Sequence, residues 1–263
     1  MCLLKVKNLH TYFETPKGLI KAVKGISFEL KKGKTLGIVG ESGSGKSQTA
    51  ISILKLLNNN QKIYQGEIFF NGQKISQYTQ KQMEKIRGNE ISMIFQDALS
   101  SLNPVFKIQN QIMEILKLHK NMSDLEGNQK ISNILQKVQI NDPKRVMNSY
   151  PHQLSGGMCQ RIMIAMALIC EPQLLIADEP TTALDVLVQK EILNLINNLK
   201  KEIKTSVLFI THDLGVISEI VDDVIVMFQG QIVEQGPIKE ILTKPKHNYT
   251  KNLLKNFLKT SFL

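Results

Sequence analysis

Thr35-Leu36-Gly37-Ile38-Val39, followed without a break by Gly40-Glu41-Ser42-Gly43-Ser44-Gly45-Lys46-Ser47, is the stretch on which the reading of this chain turns. The first five residues are nearly all apolar, the pattern of a short strand buried on both faces. The next eight match G-x-x-x-x-G-K-[ST], and residues 47–57 continue with the apolar spacing of a helix. Strand, glycine loop, helix is the order a phosphate-binding unit needs. Glycines let successive backbone N–H groups curl around an anion, and the start of the helix adds partial positive charge. In such a loop Lys46 reaches the β- and γ-phosphates of a nucleotide, and the Ser47 hydroxyl holds Mg²⁺. The expected phosphate-binding set is Gly40, Glu41, Ser42, Gly43, Ser44, Gly45, Lys46, Ser47 and Gln48.

Around this loop the chain alternates. Residues 3–9 and 23–30 read as half-buried strands about a Pro16-Lys17-Gly18 turn, and 66–75 as a hairpin turning at Asn71-Gly72. Residues 91–95 form another buried strand. From about 105 to 170 the periodicity is helical. Strand 174–178, helix 186–203, strand 206–211, helix 213–221 and a hairpin over 223–236, turning at Gln229-Gly230, complete the pattern. The expectation is an α/β core interrupted by a helical insertion of about 65 residues.

Composition narrows the class. With 263 residues, 42% of them hydrophobic, the chain can bury one large domain with an insertion, which excludes a disordered or collagen-like protein. Three cysteines without a CxxC pair make no disulfide framework and point to a reducing compartment. No apolar run reaches the length of a membrane span, and no signal segment follows Lys5 and Lys7, so a cytosolic location is expected. The net charge of +10 is compatible with nucleic acid or an anionic membrane. However, the 30 lysines are scattered, and the 31 Ile and 19 Asn alongside them speak equally for a compositional bias. Only Arg87, Arg145 and Arg161 break the preference for lysine, so each is a candidate for a geometrically demanding role.

Two further segments carry chemistry. Leu174-Leu175-Ile176-Ala177-Asp178-Glu179 is a buried strand ending in two acids. Asp178 is placed to bind Mg²⁺ and Glu179 to polarise an attacking water as general base. Leu154-Ser155-Gly156-Gly157 precedes a helix-periodic run and reads as a capped helix start with open backbone donors, a second anion site. One phosphate loop is already present, so this second site suits a phosphate held by another subunit. An isolated Ser-Gly-Gly would be only a turn.

Taken together, these motifs resemble the ATP-binding subunits of ABC transporters along essentially the whole chain. The resemblance rests on a Walker A loop (40–47), a Q-loop glutamine (Gln96), an LSGGM-x-QR signature (154–161) and a Walker B strand with its glutamate (174–179). It continues with a D-loop (Thr182-Ala183-Leu184-Asp185) and a switch histidine (His212). FQ-x-x-x-SSLNPV, YPHQLSGGM, ADEPTTALDV and H-x-Y-T-x-x-LL are similar to the peptide and nickel importer branch. It implies a P-loop NTPase (RecA-like) α/β fold with an N-terminal antiparallel β subdomain and an inserted helical subdomain. One domain spans 1–263: residues 1–96 and 166–263 form the nucleotide-binding core, and 97–165 the signature subdomain.

The resemblance also implies roles. Two such domains would pair head-to-tail around ATP and Mg²⁺. Lys46, Ser47, Gln96, Asp178 and Glu179 would act in cis, with Ser47, Gln96 and Asp178 at the metal. Ser155, Gly156 and Gly157 would grip the γ-phosphate in trans, Asp185 would couple the sites, and His212 would steady the γ-phosphate and water. Of the pair Tyr12-Phe13, Phe13 is the first choice to stack adenine. Implied partners are two membrane permease subunits, a second ATP-binding subunit and an extracytoplasmic solute-binding protein, with no nucleic acid. The implied place is the cytoplasmic face of the cell membrane, held peripherally.

Departures remain. Ala98 stands where many relatives have proline, Cys159 fills a position often basic or apolar, and no cysteine follows Cys170. The short ending is closer to the nickel type; peptide is the expected cargo all the same, with nickel or a metal chelate as the alternative. A DNA-associated ABC ATPase is a further alternative, although 263 residues leave no room for the usual coiled-coil insertion.

Overall fold

The computed structural model describes residues 1–181, 185–218 and 220–260. In chain order the elements begin β1 (Cys2–Thr15), β2 (Gly18–Lys31), β3 (Thr35–Val39), α1 (Lys46–Leu54), β4 (Gln61–Phe70), β5 (Gln73–Lys74) and α2 (Gln80–Ile86). The middle of the chain holds β6 (Ile91–Ile94), α3 (Ala98–Ser101), α4 (Ile108–Lys120), α5 (Asp124–Lys137), α6 (Pro143–Asn148), α7 (Gly156–Leu168), β7 (Leu174–Asp178) and α8 (Val186–Ile203). The last third holds β8 (Ser206–Thr211), α9 (Leu214–Ser218), β9 (Asp223–Phe228), β10 (Gln231–Pro237), α10 (Ile238–Thr243) and α11 (Asn248–Thr260). The chain divides into two compact units, Met1–Met83 with the segment from Ser206 onward, and Glu84–Thr205.

In the first unit β1 pairs antiparallel with both β2 and β4, and β4 turns into β5. Asn71 and Gly72 both adopt positive φ, 50° and 78°, which is the two-residue turn that matches strand twist. Alongside lies a second sheet in which β3 runs parallel between β8 and β9, with β10 antiparallel on β9. All five residues of β3 and all six of β8 are buried, as continuous apolar runs require in a parallel sheet covered on both faces.

β1 and β2 are longer than the periodicity predicts. Their far halves pair around the turn at Pro16 and Lys17, yet residues such as Leu19 and Ile20 stay exposed. Burial no longer alternates there, so only the ladder reveals the strand. The sequence reading also places no helix beyond residue 236, where α10 and α11 pack on the β9–β10 hairpin through Ile238, Ile241, Thr250 and Leu254, all buried.

In the second unit β6 and β7 are parallel, in the register Ile94↔Ala177. Helices α3 to α7 follow one another between these two strands. Ser123 and Glu126 form a reciprocal capping box at the start of α5, and Asp142 caps α6. The central helix, α7, buries Ile162, Met163, Ile164 and Ala165 together with the thiol of Cys159. Cys2, Cys159 and Cys170 are all free thiols. No helix among the described residues is long and apolar enough to cross a membrane.

Candidate functional site

β3 delivers the chain into a loop whose shape its own side chains and glycines fix. A Cβ on Gly40 would lie 2.2 Å from Met227 O, and one on Gly45 would lie 2.5 Å from Ala22 O, so neither position admits another residue. Ser44 N–H donates to Glu41 O at 3.2 Å, closing the loop on itself, and Gly230 N–H of the β9–β10 turn donates to Ser44 O at 3.0 Å. Lys46 opens α1 and is only 4% exposed. Its Nζ donates to Gly40 O at 2.8 Å and Glu41 O at 3.0 Å, so the ammonium is folded back over the loop's first peptides. Ser44 Oγ and Gln48 Nε2 are buried and have no hydrogen-bond partner among the described residues. Orphaned buried polar atoms are costly, and a pair of them beside a helix start fits an anion seated there.

The same unit carries His212. The register Val39↔Thr211 brings Gly40 and His212 out at one level of the sheet, at the carboxyl ends of two adjacent parallel strands. That edge is where open α/β sheets bind ligands. His212 is exposed, and the next residue, Asp213, accepts from Gly215 N–H at 2.7 Å to start α9.

The second unit gathers Gln96, Asp178 and Glu179. The β6–β7 register puts Phe95 and Gln96 beside Asp178 and Glu179, and Gln96 Nε2 donates to Glu179 Oε2 at 3.3 Å. Asp178 closes β7 and is buried, whereas Glu179 is half-buried in the left-handed region at φ 46°. Such a conformation costs a residue with a Cβ about 1–2 kcal/mol. Part of what holds it is Gln160, a buried residue of α7 whose Nε2 donates to Pro180 O. The signature helix thereby grips the turn that aims Glu179.

A phosphate loop, a strand ending in Asp-Glu and a glycine-started helix are thus all in place. The family model described as ABC transporter matches residues 23–182, well over half of the chain. The chain belongs to the ABC transporter family.

Relatives extend the match over nearly the whole ABC ATPase. The oligopeptide transport ATP-binding protein AppD of Bacillus subtilis is 50% identical, over 96% of this chain and 77% of its own. OppD of Escherichia coli, also an oligopeptide transport ATP-binding protein, is 49% identical over 96% and 74%. The dipeptide transport ATP-binding protein DppD of Lactococcus lactis is 48% identical over 96% and 72%. Among solved structures, the dimeric ABC transporter cassette MJ0796 superposes with a TM-score of 0.80 at 28% identity, covering 90% of this chain and 99% of its own. The fold is therefore that of an ABC cassette, and the chain is an ATPase of that family.

The signature of this ABC ATPase is built as a helix start. Ser155 caps α7, its Oγ accepting from Met158 N–H at 3.3 Å. Gly156 and Gly157 occupy the first turn in ordinary helical conformation. Among the described residues a Cβ on Gly156 would meet nothing within 4 Å, and one on Gly157 would make only ordinary contact with Val188 at 3.7 Å. Glycine in a helix costs about 1 kcal/mol relative to alanine. Nothing among the described residues requires it at these two positions.

Arg161 proves to be a brace. Nη1 donates to Val138 O at 3.1 Å and Gln139 Oε1 at 2.7 Å, while Nη2 meets Glu191 Oε2 at 2.8 Å. One planar group ties α7 to the end of α5 and to α8, a fork that lysine cannot reproduce. Asp185 caps α8, accepting from Val188 N–H at 3.0 Å. Its D-loop neighbours Thr182, Ala183 and Leu184 lie outside the described residues.

Alternation along β1 separates the two aromatic candidates. Tyr12 stacks on Tyr64 at 4.6 Å and receives Lys21 over its ring. Phe13 points to the other face, the one from which Thr11 Oγ1 reaches Ser52 Oγ of α1 at 2.9 Å. Two residues escaped assignment in the sequence. Gln160 gave no separate signal beyond its place in the signature. Tyr249, of the H-x-Y-T wording, lies on the phosphate loop: its hydroxyl accepts from Glu41 N–H at 2.9 Å. Burial pushes the Tyr249 phenol pKa up, and the Glu41 N–H acts against that.

Proposed function

We propose that this ABC ATPase is the peripheral subunit that binds and hydrolyses MgATP to energise peptide import, working from the cytoplasmic face of a membrane. The observation that carries the nucleotide part is the phosphate loop. It combines a buried, backbone-tethered lysine with two orphaned buried groups at the start of α1. Peptide as cargo rests on the oligopeptide and dipeptide names of relatives near 49% identity.

Residues Gly40 to Gln48 wrap the phosphates, Lys46 supplying charge and Ser44 and Gln48 the groups that lack partners. Phe13 stacks on adenine. Glu179 takes a proton from the attacking water, and His212 orients that water and the γ-phosphate. Ser47, Asp178 and Gln96 each offer an oxygen of the hard kind that Mg²⁺ prefers and would hold the ion, which would neutralise phosphate charge.

Ser155, Gly156 and Gly157 serve the ATP of a second ATP-binding subunit. The two glycines keep the helix start bare, so a phosphate can approach backbone N–H groups that a methyl would shield. Asp185 couples the two sites. Residues 97–165 act as the signature subdomain on a core formed by 1–96 and 166–263. Phe106 and Leu118, exposed on α4 and the segment before it, belong to the surface that meets the two permease subunits. An extracytoplasmic solute-binding protein delivers the peptide.

A Glu179→Gln variant tests the assignment: ATP is retained and dimers accumulate while hydrolysis falls at least about 100-fold. Normal hydrolysis by that variant overturns the base. Uptake of labelled peptide by the assembled transporter is lost in Lys46→Ala; unchanged uptake overturns the energising role.

A further inference from the structure

The H-x-Y-T segment, His247 to Thr250, has no part in the function argued above, yet it is tied firmly to the phosphate loop. Glu234 of β10 accepts from Lys246 N–H at 2.8 Å and His247 N–H at 3.0 Å, and His247 Nδ1 accepts from Tyr249 N–H at 3.2 Å. These bonds fix the first turn of α11. Thr250 and Leu254 are buried, and the Tyr249 ring stacks on Phe228 with centroids 4.3 Å apart. The phenol is therefore held in place by its own helix, by the hairpin and by an aromatic partner before it touches the loop.

What it touches is one particular peptide. The Gly40–Glu41 peptide presents its carbonyl to Lys46 Nζ at 2.8 Å and its N–H to the Tyr249 hydroxyl at 2.9 Å. Both ends of that planar group are engaged, so it cannot rotate without breaking a bond at each end. Of the three donors an ammonium owns, one is aimed by this carbonyl and a second by Glu41 O.

We propose that Tyr249 is a positioning residue of the phosphate loop: its hydroxyl locks the Gly40–Glu41 peptide and thereby aims Lys46. The inference rests on the reading of residues 40–48 as the ATP site. Locking the loop in its binding shape removes an ordering cost that ATP would otherwise bear, so the effect falls on affinity.

The test is calorimetric titration of ATP into the full chain, with hydrolysis measured alongside. Tyr249→Phe keeps the ring on Phe228 and removes only the hydroxyl. The expected result is a Kd and KM raised about three- to tenfold, the range for one hydrogen bond, with kcat within about twofold and an unfolding midpoint close to that of the parent. Phe228→Leu, which keeps the hydroxyl and loosens its support, should shift affinity in the same direction by less. A Tyr249→Phe protein that binds ATP as the parent does overturns the proposal. So does one that loses kcat and stability with affinity unchanged. Failure of the loop reading looks different: the parent would not bind ATP, or Lys46→Ala would bind it equally well.

Discussion

Gln96 Nε2 donates to Glu179 Oε2 across 3.3 Å, so the second residue after β6 and the first after β7 meet as partners. The link is long for a hydrogen bond and is made at an exposed glutamine, so it can exchange for other partners at small cost. Replacing Gln96 with alanine frees the carboxylate from this contact while leaving the phosphate loop intact. We expect kcat to fall about tenfold or more, with ATP affinity within about threefold of the parent. Steady-state hydrolysis by the assembled transporter checks it, and an unchanged kcat would show the contact to be incidental.

Gly156→Ala separates folding from function. The added methyl meets nothing within 4 Å among the described residues and enters a helix, where alanine is favoured by about 1 kcal/mol. The variant should melt at or above the parent's temperature and yet lose at least about tenfold in hydrolysis. Retained hydrolysis would mean that the bare helix start serves no approaching phosphate.

The opposite outcome is expected at Gly40. Alanine there places a methyl 2.2 Å from Met227 O, and that neighbour is backbone in β9 and cannot step aside. The protein should lose at least about 2 kcal/mol of stability in denaturant titration, in addition to ATP binding.

Arg161→Lys tests the brace. A single ammonium cannot serve the Val138 carbonyl, the Gln139 amide and the Glu191 carboxylate together. We predict a loss of about 1–2 kcal/mol by urea unfolding with little change in KM for ATP. A large KM effect at unchanged stability would place Arg161 in nucleotide binding instead.

Acid should loosen the last helices through Glu234. Burial pushes its pKa up, but the N–H groups of Lys246 and His247 help hold the carboxylate, and the net position lies below the ordinary value. A depressed carboxylate pKa gives stability that is complete above the unfolded-state value and fades as pH falls through the folded one. Unfolding midpoints of the parent should therefore drop more steeply than those of Glu234→Gln as pH falls through and below the ordinary carboxylate range. Parallel curves would remove the anchor from the account.

The sequence alone determined the elements that announce themselves locally. The strand at 35–39, the glycine loop after it, the strand at 174–178 and the helix over 186–203 all follow from short-range pattern, as do the turns at Asn71-Gly72 and Gln229-Gly230. A phosphate loop is legible because its chemistry is carried by consecutive backbone groups. Tertiary structure decided whatever depends on partners far apart in the chain. It set which face of β1 lies against α1, the one carrying Thr11 and Phe13, because alternation puts Tyr12 and Phe13 on opposite faces without saying which of them packs. It turned Arg161 into a brace, because its three partners come from α8 and the end of α5. It also laid Tyr249 on Glu41, 208 positions earlier in the chain. Periodicity reports which face of an element is buried, but not which distant residue will lie against it.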